Sequence, residues 1–204
     1  MQTDSDVIFY DRRPEWGKDY GLGWIGFNHA ASTMSAAIAH VEQWEREKKI
    51  VVSHVMIVTG PNECIEAAFP KGIVRSPLDK LYFDNDERYV VFRRPRGLDD
   101  RMAGSIVGLA EAHVGDRFDH TKLANLAVQN NFVGWLVNQC CGGQVRDAVD
   151  RIIDADDQWI CSELAAYCLH QQPELAGRGV LSRSLGALTP QQLFDDDSIF
   201  EPLR

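Results

Sequence analysis

The octapeptide "VVSHVMIV", residues 51–58, reads as a β-strand, and the rest of the fold is read outward from it. It is rich in β-branched residues, which favour the pleated conformation. Strict alternation sends His54, Met56 and Val58 to one face and Ser53, Val55 and Ile57 to the other. A histidine inside an apolar strand is unusual. Its ordinary explanation is a core imidazole bonded to a backbone carbonyl, so His54 alone decides nothing.

Similar runs follow: "CIEAAF" (64–69), "GIVRS" (72–76) and "RYVVFRR" (88–94), with the turn sequences "TGPNE" and "PKG" between the first three. This pattern predicts an antiparallel meander. "DVIFY" (6–10) is a further strand candidate, and the Gly- and Trp-rich "GKDYGLGWIGFNH" after it shows no period and is expected to be loop. From Ser32 to about Lys48 apolar residues recur at helical spacing. A second helix is predicted in "LDDRMAGSIVGLAEAHVG", capped by Asp99 or Asp100 and closed by Gly115, with Met102, Ile106, Leu109, Ala110 and Val114 inward. Further helical stretches run from 121 to 170, broken at Gly142 and Gly143, and "TPQQL" (189–193) has the Thr cap and first-position Pro of a short helix. Strands first and helices after is an α+β order, in one domain spanning 1–204 with helices packed on an antiparallel sheet.

Composition narrows the function. A chain of 204 residues, 45% hydrophobic and 25% charged, has ordinary globular make-up. Its formal charge of −9 argues against nucleic acid as a partner, because phosphate binders carry a basic stripe and "FRRPR" (92–96) is too short to be one. No stretch reaches the roughly 18 apolar residues of a membrane span, and no export signal is visible at the start. A protein that is cytoplasmic or otherwise soluble is expected. Five cysteines without framework spacing point to reduced thiols.

One of those thiols, Cys161 in "QWICSELAAYCLH" (158–170), stands on the first turn of an apolar helix, where the helix dipole favours a thiolate. A nucleophilic thiol also needs a base and a group to orient that base. His54 is a candidate base. Glu66, flanked by Ile65 and Ala67, is a candidate orienter: a three-residue turn at 59–61 sets residues 54 and 66 directly opposite, and a longer turn makes them diagonal neighbours. A buried glutamate is costly unless paired, so the two unusual residues account for each other. The plainer alternatives are an inert core cysteine and a structural His–Glu pair. His120 in "RFDH", with Asp119 beside it, is a rival base. Cys140 and Cys141, with His113 and His120, lack zinc-site spacing, and no metal or cofactor is expected. His29 and His40 read as surface or packing residues.

Taken together, "SHVMIV", "IEAAFPKGIVRSPLDKL", "VGDRFDH", "WICSELAAYC" and "LTPQQL" resemble the YiiX/YebB-like branch of the NlpC/P60 papain-like thiol hydrolases, from about Asp6 to Leu193. In that branch the topology is circularly permuted, so the histidine strand precedes the cysteine helix, as it does here. The resemblance implies a permuted papain-like α+β fold in which the helix N-terminus meets the sheet face, and a triad of Cys161, His54 and Glu66. It also implies hydrolysis of a peptide or acyl amide through a Cys161 thioester, with a small peptide-like or acyl substrate and no cofactor. A catalytically retired ligand-binding domain and a thioester-based acyltransferase remain alternatives. The segment around His120 lies near the family's cleft, which makes His120 a candidate substrate contact. Two positions depart from the family pattern. Its opening Gly-Asp is Ser5-Asp6 here, and the glycine of its His-Val-Gly-Ile strand is Met56, which alternation places beside His54 as a candidate substrate contact in a narrowed cleft.

Overall fold

Five segments pair antiparallel into one sheet: β1 (Ile25–Ala30), β2 (His54–Gly60), β3 (Glu63–Ala68), β4 (Gly72–Pro77) and β5 (Arg88–Arg93). Their spatial order is β4-β3-β2-β1-β5. The computed structural model describes residues 13–30, 52–68, 70–84, 88–118, 158–159, 161–183 and 188–203. The strand expected at 6–10, the helix expected from Ser32 to Lys48 and most of the helical stretch from 121 lie outside the described residues. Among the described residues no helix is long and apolar enough to cross a membrane.

Two expectations are corrected. β1 lies inside the segment read as loop, where Gly26 and Asn28 are poor strand formers that hide the alternation of Ile25 and Phe27. Pairing with β2 on one side and β5 on the other decides the conformation instead. Consequently the four expected strands are not a single meander: β2, β3 and β4 are, but β5 crosses to the far side of β1.

One face of the sheet, with Phe27, Val55, Ile57, Ile65 and Ala67, packs under helices α1 (Asp100–Ala112) and α2 (Cys161–His170). Asp99 caps α1 by accepting from the Met102 N–H at 2.7 Å. Met102, Ile106 and Ala110 point inward, but Val114, expected with them, is 40% exposed because the helix ends at Ala112. In α2, Leu164 and Leu169 are almost wholly buried, each contributing about 1.5–3 kcal/mol of apolar burial. A short parallel pair, β6 (Arg117–Phe118) with β7 (Gln158–Trp159), links the end of α1 to the approach to α2. A short helix, α3 (Pro190–Phe194), opens with a capping box between Thr189 and Gln192.

The other face carries a second core of Tyr20, Met56, Val58, Cys64, Leu78, Tyr82, Val90 and Phe92. Met56 is 1% exposed there, and it fits because its partner across the ladder is Gly26. A Cβ built on Gly26 lies 2.8 Å from Met56 Cγ and 3.1 Å from Phe92 Cε1. Gly26→Ala is therefore expected to cost about 1–3 kcal/mol through overpacking, and to cost less in a Met56→Ala background. Urea denaturation of the double-mutant cycle measures this; equal costs in the two backgrounds would mean that the added methyl does not press on Met56.

Candidate active site

His54 opens β2, and Glu66 sits in the middle of β3. The strands pair Met56 with Glu66, and an irregularity between Val58 and Gly60 shifts the ladder, so residues 54 and 66 are diagonal rather than directly opposite. β2 runs on to Gly60, which pairs with Glu63, so the turn is the two residues Pro61 and Asn62 and lies later in the chain than the turn at 59–61 that sets residues 54 and 66 face to face. Diagonal neighbours remain within reach of long side chains. His54 Nε2 and Glu66 Oε2 are 2.5 Å apart, with the side chains 20% and 6% exposed.

The carboxylate has two further donors that sequence reasoning missed. Tyr82 Oη donates to Glu66 Oε2 at 2.6 Å, and the Ser76 hydroxyl hydrogen-bonds to the same carboxyl group. Tyr82 comes from a π-helical turn, Asp79–Phe83, and Ser76 from β4, where it pairs with Cys64. Ser76 was available from strand alternation, being a polar residue on the face of Cys64 and Glu66. Tyr82, sixteen positions from its partner, left no local signal.

These contacts fix the charges. Burial by itself pushes the Glu66 carboxyl up, but the His54 hydrogen bond and charge, with the hydrogen bonds of Ser76 and Tyr82, outweigh it and take it from 4.5 to about 2. Burial likewise pushes the His54 imidazole down. The charge and hydrogen bond of Cys161, followed by the hydrogen bond and charge of Glu66, overcome this and raise it from 6.5 to about 10.

Cys161 is the first residue of α2 and lies half-buried at the rim of the first core. α2 covers the face of Val55 and Ile57, whereas His54 and Glu66 turn to the opposite face with Cys64 and Tyr82. The thiol therefore meets the imidazole where β2 begins, rather than over the middle of the sheet. Both elements are braced by one segment. Gln191 Oε1 accepts from the Val52 N–H at 2.9 Å, two residues before His54, and the Leu188 carbonyl accepts from Ser162 Oγ at 2.5 Å, one residue after Cys161. This gives "LTPQQL" a physical role.

The structure thus brings Cys161, His54 and Glu66 together. It does not place Met56 in an open cleft: alternation does put its side chain on the face of His54, but packing against Phe92 and Cys64 leaves it no surface for a substrate. His120, Asp119, Cys140 and Cys141 lie outside the described residues. His113 bonds Asp116 at 2.8 Å and meets the Tyr167 ring edge-on, which is a structural arrangement. Among the described residues no three His, Cys, Asp or Glu side chains converge as a metal site requires.

The chain has a YiiX-like fold. It matches the crystal structure of the metalloprotein YiiX from Escherichia coli O157:H7 with a TM-score of 0.52 and 15% identity, over 89% of this chain and 95% of that one. At that identity the likeness is one of fold. No family model and no curated protein matches the sequence.

The pair carries a pH signature. The His54 contribution to stability, from a pKa raised above 6.5, is complete below that value and is lost as pH rises through about 10. The Glu66 contribution, from a pKa lowered below 4.5, is complete above that value and is lost as pH falls through about 2. Unfolding free energy measured in urea should therefore be highest between 4.5 and 6.5, where both contributions are complete, and Glu66→Gln should flatten the acid side; an unchanged acid slope in the variant would remove Glu66 as its source. Among the thiols, burial pushes Cys64 up and takes Cys168 to about 12. Limited iodoacetamide labelling with peptide mapping should find Cys161 the fastest of the five cysteines, by at least about tenfold over Cys64 and Cys168. Faster labelling of any other cysteine would reassign the reactive thiol.

Proposed function

We propose that the protein is a thiol hydrolase of the permuted papain-like kind, a single domain that cleaves a peptide or acyl amide through a thioester on Cys161. The observation that carries this reading is that one imidazole, His54, is hydrogen-bonded at once to a half-buried thiol and to a buried carboxylate. This is the nucleophile, base and orienter arrangement that activates a weak nucleophile. The YiiX-like fold and the order of His54 before Cys161 support it.

In the reaction, Nε2 is engaged by Glu66, so Nδ1 is the nitrogen left to take the Cys161 proton. The sulfur attacks the carbonyl carbon, and the π electrons move to the carbonyl oxygen. The backbone N–H of Cys161, at a helix start with no intrahelical partner, is the natural donor to that oxygen. As the C–N bond breaks, His54 gives its proton to the leaving amine. Water then adds to the thioester with His54 as base, and the carboxylic acid departs as the thiol is restored. Throughout, Glu66 holds the tautomer, the part an orienting carboxylate plays in other triads. YiiX is a metalloprotein, but the described residues of this chain offer no convergent donor set, so no step is routed through a metal.

Incubation with a panel of amides and esters, followed by intact-mass and peptide mass spectrometry, tests the reading. The expected result is an acyl adduct on Cys161 that decays with release of the acid, absent in Cys161→Ala. Glu66→Gln keeps the volume and should slow turnover of the same substrate roughly tenfold to a thousandfold while the protein still folds. An adduct on another residue, or full turnover without Cys161, would overturn the assignment; a stable fold lost in Glu66→Gln with turnover per folded molecule unchanged would leave His54 and Glu66 a structural pair.

A further inference from the structure

Glu66 has more rotamer freedom than a shorter acid, and it must reach His54 along a diagonal. Something has to hold the carboxylate at the end of that reach. Its Oε2 accepts two hydrogen bonds, from His54 Nε2 at 2.5 Å and from Tyr82 Oη at 2.6 Å. Tyr82 is 3% exposed and belongs to the second core. It is delivered by the π-helical turn Asp79–Phe83, a geometry rare in proteins and frequent at functional sites. That turn is itself pinned to the β2–β3 hairpin, where Asn62 accepts from the Leu78 N–H through its carbonyl at 3.1 Å and from the Asp79 N–H through Oδ1 at 2.8 Å. Hairpin, turn and carboxylate are thus tied together by hydrogen bonds.

We propose that Tyr82 is a positioning residue of this site, acting through Glu66: its hydroxyl fixes the carboxylate oxygen that orients His54. The inference rests on the thiol-hydrolase reading and adds a fourth member to its relay. Tyr82 keeps its proton and donates a hydrogen bond, and no proton is transferred. A buried phenol that merely needed a partner would be served by any backbone carbonyl; here it takes the one oxygen on which the imidazole depends. Geometry and charge agree, since the Tyr82 hydrogen bond is among the contacts that lower the Glu66 carboxyl. The other groups facing Glu66 are His54 from β2, with Cys161 behind it, and Ser76 from β4. Cys64 lies on its own strand, and the nearby Glu63 is occupied with Thr59 and Arg75.

Tyr82→Phe removes only the hydroxyl, and three readouts separate positioning from packing. Carboxyl-carbon NMR titration should show the Glu66 midpoint moved up by about one pH unit, a tenfold rise in proton affinity, the scale of one hydrogen bond to a charged group. Iodoacetamide labelling of Cys161 at neutral pH should slow severalfold, while the thermal midpoint stays within a few degrees. In the unaltered protein, a slowly exchanging Tyr82 hydroxyl proton at low field should disappear as Glu66 is protonated, which tests the contact even if the variant folds poorly. Ser76→Ala, which removes the other hydroxyl donor, should move the Glu66 midpoint in the same direction. A lowered thermal midpoint with the Glu66 titration and Cys161 labelling both unchanged would overturn the proposal and make Tyr82 a packing residue. Slow labelling of Cys161 already in the unaltered protein would instead defeat the hydrolase reading, leaving the Tyr82–Glu66 contact to be judged by the titration alone.

Discussion

A carboxylate buried in the middle of a sheet is the constraint around which this molecule is organised. Glu66 is 5% exposed, and removing a charge from water that completely costs several kcal/mol unless partners replace the lost hydration. His54, Tyr82 and Ser76 replace it, from three different elements. Each of those elements is thereby held in register with the others. β2 has to present its first residue, β4 has to pair so that Ser76 faces the carboxyl, and the wide π-helical turn after β4 has to bring a tyrosine back over β3.

The same pairing explains why the thiol sits where it does. α2 is held to its face of the sheet by ordinary apolar burial through Leu164 and Leu169, which is non-directional and places no atom to within an ångström. Precision comes from two polar ties near the thiol and the imidazole. Gln191 holds the backbone just before His54, and the carbonyl of Leu188 holds the side chain just after Cys161. A five-residue helix, α3, with a capping box at its start, is the common anchor. The core supplies affinity between layers, and the short helix supplies alignment.

Met56 shows how a residue near the site is taken up by packing instead. Its chemistry and face invite a role beside His54, yet Gly26 opposite it leaves the volume that its thioether fills. The second core closes over it with Phe92 and Tyr82. A residue two positions from the imidazole thus belongs to the packing that fixes the sheet, and it shares a core with Tyr82, whose hydroxyl bonds the same Glu66 oxygen as His54.

The sequence by itself determined whatever is local. Period-two alternation marked β2 to β5, Asp99 and Thr189 marked helix starts, and the oddity of a histidine and a glutamate in neighbouring apolar strands, with a cysteine at a helix start, named the three residues that meet. It did not reveal β1, because a strand carrying Gly26 and Asn28 exists through the ladders on its two sides rather than through its own propensity. It left the register of 54 against 66 open, because one irregularity between Val58 and Gly60 shifts the whole pairing and that irregularity has no compositional mark. Tertiary structure alone decided that the helix approaches from the far face, that Met56 is buried, and that Tyr82 shares an oxygen with His54. Each of those is a meeting of side chains brought together by the path of the chain, and spacing along the sequence carries no record of that path.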